Sequence, residues 1–514
     1  MPATVVVGTG PLTIEEVVAV ARRNAPVVIS EESLAEVARS RAIIVALADD
    51  VEPHYGVSTG FGALATRHIP VELRRQLQRS LVRSHAAGSG AEVEREVVRA
   101  LMLLRISTLA TGRTGIRPET LTAYVGLLNA GLTPVVHEYG SLGCSGDLAP
   151  LAHCALALMG EGFVRDASGA LLPTADALAA AGLTPVELQE KEGLALINGT
   201  DGMLGMLCLA IADLRELLVV ADIAAAMSVE GLLGTDDVFA ADLQALRPHP
   251  GQAVSAANIR AVMANSPMRA SHDTEDCPRV QDAYSLRCSP QVAGGVRDTL
   301  AYAVSVADRE LASAVDNPVV TLDGRVESNG NFHGAPVAYP LDFLAIVVAD
   351  LASISERRTD RFLDKSRSHG LPPFLADDPG VDSGHMIAQY TQAAIVSELK
   401  RLAAPASVDS IPSSAMQEDH VSMGWSAGRK LRRSVDGLAR VLAVEVLTAA
   451  RGLQLRAPLE PAPASGAVVA ALLAAGASQP GTDRWLAPEI DTAYRLVVDG
   501  SVRAAAETAT GPLN

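Results

Sequence analysis

The segment Gly140-Ser-Leu-Gly-Cys-Ser-Gly-Asp-Leu-Ala-Pro-Leu151 contains, at Cys144-Ser145-Gly146, three residues that can form an electrophile from their own backbone. If the amide nitrogen of Gly146 attacks the carbonyl carbon of Cys144, loss of water closes a five-membered ring. Loss of the Ser145 hydroxyl as a second water then leaves an exocyclic methylidene. Glycine permits the compressed turn that this attack requires. The product is a 4-methylideneimidazol-5-one (MIO).

An ordinary glycine-rich turn, capped by Ser145 or Asp147, is the alternative interpretation, because Cys-Ser-Gly alone is common in turns. Beyond the triad, the residues from Asp147 to Leu151 predict a helix start. Pro150 would lie in the first turn of that helix, where its missing N–H costs least. A helix N-terminus beside the ring would make the ring more electron-poor. Other segments of the chain have to decide between the two interpretations.

The composition predicts closely packed helices and excludes several classes of partner. Of the 514 residues, 48% are apolar but only 3% are aromatic, so Ala, Leu and Val must build the core. The net charge of −17 argues against nucleic acid and anionic membranes as partners. Five cysteines without a Cys-x-x-Cys motif predict neither disulfides nor a zinc site. With no secretory signal visible, we expect a cytoplasmic protein.

The hydrophobic pattern predicts a mainly α fold, a bundle of long helices. Five long helices are expected, roughly at 203–233, 292–315, 340–358, 386–403 and 429–455, and no alternation of strands and helices suggests a parallel sheet. The run 203–233 contains charged residues and therefore indicates a buried helix rather than a membrane span. We expect two parts: residues 1–200, which contain the ring-forming segment, and residues 201–514, which contain the bundle.

The N-terminal part should begin with a short strand over Thr4 to Val7. Two amphipathic helices should follow within the first 50 residues. Thr13 and Glu16 form a capping pattern at the start of the first of these helices. Residues 160–190, rich in Ala, Gly and Pro, read as a surface segment.

Further segments between the predicted helices contain side chains suited to a binding site. Arg287 lies with an amide and a phenol in one loop, and a buried arginine requires a carboxylate, from the protein or from a ligand. Taken alone, Asn198 suggests a helix cap or turn, and Glu418 a solvated helix start. The segments are Tyr55-Gly-Val-Ser-Thr-Gly-Phe-Gly62, Ser84-His85, Gly193 to Thr200 with Asn198, Gln281 to Pro290 with Tyr284 and Arg287, Ser328 to Gly334 with Phe332, and Ile411 to Gly424 with Glu418.

Together with the ring-forming segment, these motifs resemble those of the aromatic amino acid ammonia-lyases, most closely the subfamily that acts on histidine. The resemblance extends from about Val5 to Leu513. This chain departs from the family pattern at Cys144, where most relatives have Ala, and at Ser58, where most have Asn. The resemblance implies a long-helix bundle of the type shared with the fumarase and aspartase group.

The resemblance also implies an activity: a carbon–nitrogen lyase that converts L-histidine to trans-urocanate and ammonia, the first step of histidine degradation. Its electrophile would be the MIO group formed from Cys144, Ser145 and Gly146, without a metal or a diffusible cofactor. Whether the methylidene adds the substrate amine or its imidazole carbon stays open. The resembling proteins are homotetramers whose active sites combine loops from different subunits.

The same resemblance assigns roles to individual residues. Tyr55 would remove the β-proton, and Arg287 would hold the substrate carboxylate. Asn198 would lie beside the ring, where an amide donor could polarise the ring carbonyl, and Tyr284 would support ring and amine. The expected catalytic residues are Tyr55, Ser145, Tyr284 and Glu418, and the expected imidazole pocket is His85, Gln281, Phe332 and Glu418.

Three competing interpretations remain at this stage. A lyase or aminomutase for tyrosine or phenylalanine is the nearest, and Ser84-His85 and Glu418 argue against it because a phenyl ring gains nothing from a carboxylate. A serine hydrolase using Ser145 would need a Gly-x-Ser-x-Gly elbow, which the chain lacks there. The fumarase and aspartase group is only faintly matched by Pro412-Ser-Ser-Ala-Met416.

Overall fold

The computed structural model describes residues 2–48, 50, 54–60, 62–272 and 280–514. It is 59% helical, which confirms the predicted mainly α fold. The first nine helices are α1 (Ile14–Arg23), α2 (Glu31–Ala48), α3 (Arg74–His85), α4 (Arg95–Ala110), α5 (Pro118–Asn129), α6 (Leu148–Leu158), α7 (Thr174–Ala180), α8 (Glu192–Ile197) and α9 (Asp201–Gly231).

The remaining helices include four of the five long ones predicted from sequence. They are α10 (Ala241–Ala245), α11 (Pro250–Met263), α12 (Pro267–Ala270), α13 (Tyr284–Arg287), α14 (Ser289–Leu311), α15 (Ala335–Leu363), α16 (Met386–Leu402), α17 (Gly424–Gln454), α18 (Pro463–Ala474), α19 (Ala487–Val498) and α20 (Ser501–Thr510). Helices α9, α14, α15, α16 and α17 confirm the prediction. Helix α15 begins five residues before Pro340, because a proline in the second turn removes only one backbone hydrogen bond.

Short strands supplement the helices. They are β1 (Val5–Val7), β2 (Val27–Ile29), β3 (Ser89–Glu92), β4 (Thr133–Pro134), β5 (His137–Tyr139), β6 (Phe163–Arg165), β7 (Leu171–Pro173), β8 (Val319–Val320) and β9 (Val326–Glu327). Strand β1 pairs in parallel with β2, Val5 opposite Val27, and α1 connects them. The sequence pattern did not predict β2. The other pairs, β3–β5, β4–β6, β6–β7 and β8–β9, are antiparallel.

Two local predictions for this part of the chain have clear outcomes. The capping box is present: the Thr13 hydroxyl accepts from the Glu16 amide, and the Glu16 side chain accepts from the Thr13 amide. The predicted surface segment 160–190 contains β6, β7 and α7, so it is more regular than expected. Its glycines lie in the turns, whereas four of its alanines form α7 and Pro173 ends β7.

Helix α9 is buried along almost its whole length, with exposure limited to the stretch around Arg215. This confirms the buried helix predicted for residues 203–233. Helix α15 is the one described helix that is long and apolar enough to cross a membrane, and 61% of its most apolar window is buried in the structure. Such burial is typical of a core helix.

The chain divides into two compact units. The first unit consists of Met1–Ala212, Ala303–Asp342 and Pro405–Arg429, and the second of Asp213–Tyr302, Phe343–Ala404 and Lys430–Asn514. These units group residues by proximity, so the predicted boundary at residue 200 stays a prediction. The first unit therefore contains the ring-forming segment together with two segments from later in the chain, Ala303–Asp342 and Pro405–Arg429.

A buried ion pair lies inside the second unit. The carboxylate of Glu445 in α17 accepts from the Arg358 guanidinium in α15, Nη2 to Oε2, at 2.8 Å, and both side chains are almost completely buried. Ser228 in α9 donates to the same carboxylate at 2.7 Å. Ser289, which precedes α14's proline, accepts from Arg358 at 3.2 Å. Four long helices of this unit therefore share one polar cluster.

We expect Glu445→Gln to destabilise the protein by about 3–5 kcal/mol, because it leaves the Arg358 charge buried without its partner. The measurement is the apparent Tm of the purified protein. Asp436→Asn is the matched control on the same helix, since Asp436 pairs with Arg440 at the surface, where a pair contributes at most about 1 kcal/mol. Equal losses in Tm for the two variants would contradict the importance of the buried pair.

Candidate active site

The ring-forming loop, residues 140–147, connects β5 to α6 in the first unit. Gly146 has φ +75°, and a Cβ at this position would lie 1.9 Å from the carbonyl oxygen of Gly199. The next amide, that of Asp147, donates to the same carbonyl oxygen at 2.7 Å. Glycine is therefore the residue that permits this close approach. The loop is held directly against the turn between α8 and α9.

The Asp147 carboxylate fixes the loop to the start of α9. Its Oδ2 accepts from the amides of Gly202 and Met203, each at 2.9 Å. Its Oδ1 accepts from the Ser141 hydroxyl at 2.8 Å. Complete burial raises the pKa of this carboxyl to about 7, and the hydrogen bonds oppose that shift. Asp147 precedes α6, as predicted, but its side chain caps α9 instead of its own helix.

Two distant segments contact the other side of the loop. The carbonyl oxygen of Gly143 accepts from the Ser422 hydroxyl at 2.9 Å and from the Gly334 amide at 3.1 Å. The Met423 amide donates to the carbonyl oxygen of Leu142 at 2.9 Å. The loop thus meets the segments that contain Phe332 and Glu418, as the first unit's composition indicates. Phe332 itself is partly exposed.

Glu418 lies in a strained turn rather than at a solvated helix start, which corrects that interpretation of the sequence. Its backbone amide donates to the Ser413 carbonyl at 3.2 Å, and the reverse bond is 2.9 Å long. Between them, Ser414, Ala415 and Met416 have φ values of 52°, 51° and 70°. Residues other than glycine seldom adopt this left-handed conformation, and such strain is concentrated at functional sites. Helix α17 begins only at Gly424.

One hydrogen bond joins the ring-forming triad to Glu418. The Cys144 thiol donates to Glu418 Oε2 at 3.0 Å, across 274 residues of sequence. The Ser413 hydroxyl donates to the same oxygen at 3.1 Å. Burial and the neighbouring Glu418 carboxylate raise the pKa of the Cys144 thiol to about 12. The thiol therefore stays protonated at neutral pH and remains a donor.

Tyr55 is half-buried in the same unit, in the field of two carboxylates. Its hydroxyl oxygen accepts from the Gly62 amide at 3.2 Å. Burial raises the pKa of the phenol, the negative charges of Glu418 and Asp316 raise it further, and the Gly62 amide opposes them. The phenol is therefore neutral at neutral pH. Phe61, in the same motif, lies outside the described residues.

His85 is the last residue of α3 and is held as a neutral imidazole. Its Nδ1 lies 2.9 Å from the Leu81 carbonyl oxygen, so Nδ1 carries the proton and Nε2 can accept a hydrogen bond. Burial lowers the pKa of the imidazole, while the Leu81 carbonyl and the Glu418 charge oppose this. The Ser84 hydroxyl lies 3.1 Å from Nδ1. His85 and Glu418 thus belong to one electrostatic environment.

Asn198 is buried beside Gly199, and its partners fix the orientation of its amide. Nδ2 donates to Asp316 Oδ1 at 3.3 Å and to the Asn317 carbonyl oxygen at 3.0 Å. Both neighbours are acceptors, so the nitrogen must face them. Asn198 Oδ1 is buried and has no hydrogen-bond partner among the described residues. The side chain therefore offers an acceptor, whereas the sequence analysis expected a donor towards the ring.

Some groups that contact these residues were not predicted from the sequence. Asp316 pairs with Lys191 Nζ at 2.5 Å, and both side chains are fully buried. Ser413 and Ser422 lie within the segment already singled out for Glu418, but no pattern marked them. Asp316 is a single charge in a mostly apolar stretch, which was the available signal for it, whereas Lys191 lies between Glu190 and Glu192 and reads as part of a charged surface segment. Their pairing across 125 residues of sequence leaves no local trace.

Gln281, Tyr284 and Arg287 belong to the second unit. Gln281 is exposed, and Tyr284 is 71% exposed. The Arg287 guanidinium lies 4.8 Å from the centre of the Tyr284 ring, and its buried Nε has no hydrogen-bond partner among the described residues. Arg287 Nε is thus a donor that no described residue uses. Residues 273–279, which precede them, lie outside the described residues.

The sequence matches the aromatic amino acid lyase family over residues 12–474. Histidine ammonia-lyases of Streptomyces avermitilis and Streptomyces coelicolor are each 67% identical over 510 residues, covering 99% of both chains. A tyrosine aminomutase from Streptomyces globisporus has a similar structure, with a TM-score of 0.94, 37% identity and complete coverage of both chains. Histidine ammonia-lyase from Trypanosoma cruzi has a TM-score of 0.90 and 37% identity, covering 98% of this chain and 95% of that chain.

We expect Asp147→Ala to impair ring formation, because it leaves the Gly202 and Met203 amides buried without an acceptor, at about 1–3 kcal/mol for each lost bond. Asp147→Asn should retain most of the ring, since the amide oxygen can still accept from α9. The measurement is the intact mass, in which ring formation removes two waters. Asp176→Ala, at an exposed position of α7, is the control. If all of the Asp147→Ala protein were still two waters lighter than its sequence mass, the ring would form without the capping interaction, and the prediction would be wrong.

Proposed function

We propose that this chain, which belongs to the aromatic amino acid lyase family, removes ammonia from L-histidine to give trans-urocanate. The observation that carries the proposal is the hydrogen bond between Cys144, in the ring-forming triad, and Glu418. It brings a carboxylate suited to an imidazole beside the residues of the electrophile. The relatives at 67% identity are named for the same reaction. The enzyme is then a carbon–nitrogen lyase for the first step of histidine degradation.

The residues present fit the MIO group. Gly146 has no room for a side chain, and the Ser145 side chain is partly exposed, so its hydroxyl can leave as water. Asn198 contributes a buried amide oxygen without a partner. Once formed from Cys144, Ser145 and Gly146, the group supplies an electrophile that withdraws electrons from the substrate and so assists the departure of ammonia.

Recognition of the imidazole would fall to Glu418 and His85. Glu418 Oε2 is occupied by two donors, which leaves Oε1 to accept an imidazole N–H. His85 Nε2 is a second acceptor in the same environment. A phenyl ring has no N–H to offer, and a buried acceptor without a donor loses its hydrogen bond to water. Phe332 and Gln281 would complete the pocket.

Tyr55 would remove the β-proton of the substrate. In the free protein, burial and then the Glu418 and Asp316 charges raise the pKa of this phenol. An imidazole N–H bound to Glu418 offsets part of that negative charge and so lowers the pKa of Tyr55. Substrate binding would thereby bring the base closer to its working range.

The carboxylate of the substrate requires hydrogen-bond donors, and its ammonium group requires acceptors. Arg287 has an unused donor, Nε, for the substrate carboxylate. The free Oδ1 of Asn198 would accept from the substrate ammonium, and Tyr284 would support the amine. As the family resemblance implies, we also propose a cytoplasmic homotetramer in which each active site combines loops from different subunits.

A tyrosine aminomutase reaction is the second candidate, because a structure with that activity has a TM-score of 0.94 to this chain. The two reactions differ in the side chain that the pocket must bind, which is a phenol in tyrosine and an imidazole in histidine. A phenol can donate through its single hydroxyl, whereas an imidazole that takes up a proton beside the Glu418 carboxylate offers two N–H donors, one for each of the acceptors on Glu418 and His85. The pair of Glu418 and His85 therefore favours histidine.

Incubation of the purified enzyme with L-histidine should release ammonia and urocanate, detected by the ultraviolet absorbance of urocanate, and L-tyrosine should give no product. The intact mass should be two waters below the sequence mass. Ser145→Ala should lose both the mass deficit and the activity. Glu418→Gln should keep the deficit but raise KM for histidine about tenfold or more, because a charged hydrogen bond is lost. An active enzyme of unmodified mass would contradict the mechanism.

Mixing two inactive variants tests the shared active site. If Glu418 and Arg287 of one active site come from different subunits, unfolding and refolding Glu418→Ala and Arg287→Ala together should restore about a quarter of the wild-type activity by random assembly. Each variant refolded alone is the control. Native mass should be that of four chains. Absence of recovery in a mixed tetramer would show that both residues act within one subunit.

A further inference from the structure

Two donors converge on one oxygen of Glu418 and leave the other oxygen without a described partner. The Cys144 thiol lies 3.0 Å and the Ser413 hydroxyl 3.1 Å from Oε2. A glutamate on an open turn would rotate freely between its two oxygens, at a cost in side-chain entropy when it binds a ligand. Here the rotation is restricted from two sides: by the ring-forming loop and by the glutamate's own turn.

We propose that the Cys144 thiol and the Ser413 hydroxyl are positioning groups that hold Glu418 Oε2 and thereby direct Oε1 towards the substrate imidazole. The inference rests on the proposed function, since it assigns the orientation of a substrate-binding carboxylate. It gives a role to the cysteine at which this sequence departs from the family pattern.

The chemistry of ring closure preserves this contact. Cyclisation joins the Gly146 nitrogen to the Cys144 carbonyl carbon and releases the carbonyl oxygen as water, whereas the Cα and the side chain of Cys144 remain as a substituent of the ring. The thiol therefore connects the position of the electrophile to that of Glu418. Because burial and Glu418 raise the pKa of the thiol to about 12, it remains a donor throughout the neutral range.

The first test is kinetic. Cys144→Ala and Ser413→Ala should each raise KM for L-histidine about 3- to 10-fold, the loss of one hydrogen bond, with kcat within about twofold of wild type. Cys144→Ser should restore the wild-type KM because a hydroxyl also donates. Cys154→Ala removes another buried thiol of the first unit, in α6, and should leave KM unchanged. Wild-type KM in both alanine variants would overturn the proposal.

Ring formation must be separated from positioning. Every variant is therefore checked for the loss of two waters, and Cys144→Ala should show it in full because the side chain takes no part in cyclisation. Should Cys144→Ala lack the ring, the thiol acts in ring closure and the positioning role is wrong. Ser413 lies outside the triad, so its variant tests the same carboxylate without touching the ring.

A double-mutant cycle tests whether the thiol acts through Glu418. In a Glu418→Gln background, Cys144→Ala should change kcat/KM by less than about twofold, because the carboxylate that the thiol positions is no longer present. A structural role of the thiol elsewhere would instead give the same 3- to 10-fold effect in both backgrounds, about the loss of one hydrogen bond. That additivity would contradict the proposal.

Alkylation of Cys144 by iodoacetamide tests the contact without any substrate. The thiolate is the reactive form, so removal of the neighbouring charge in Glu418→Gln should speed alkylation severalfold, measured by peptide mass, while the Cys154 rate stays unchanged. An unchanged Cys144 rate would contradict the contact. If wild-type enzyme released no urocanate, the proposed function would fail, whereas the alkylation result would still report on the contact itself.

Discussion

The carbonyl oxygen of Gly199 is the constraint on which the candidate site depends. It occupies the space that a side chain at residue 146 would need and accepts a hydrogen bond from the Asp147 amide at 2.7 Å. The Asp147 carboxylate then caps α9 from the opposite direction. Loop and helix therefore hold each other, so the triad is presented by a rigid element, as a reactive constellation requires.

Two negative charges near this loop shift the pKa of Tyr55 in the same direction. Glu418 and Asp316 both raise the pKa of Tyr55, after the larger effect of burial. Asp316 is itself balanced by Lys191 at 2.5 Å, out of reach of solvent. The first unit thus contains fixed negative charge and, at Asn198 Oδ1, a buried acceptor without a hydrogen-bond partner among the described residues.

Sequence periodicity identified the long helices and the Thr13 capping box, because both depend on neighbours within four residues. The same reasoning missed the parallel strand β2 and the strained turn before Glu418. It placed Asp147 at the start of α6 and could not foresee that its carboxylate caps α9, 55 residues away. The hydrogen bond between Cys144 and Glu418 spans 274 residues. Contacts of that range become visible only once the chain is folded.

The fold alone does not choose the reaction, since a tyrosine aminomutase has a structure with a TM-score of 0.94 to this chain. Both reactions can use an electrophile held by the same loop, so the discrimination must lie in the side chains that meet the substrate ring. The carboxylate to which the proposed function gives that role, Glu418, lies on a turn where three successive residues adopt the left-handed conformation. Such a turn is retained only if its surroundings stabilise it. The bonds from Cys144 and Ser413 to Glu418 contribute to that stabilisation, so under the proposed function the same hydrogen bonds would support both the turn and the choice of substrate.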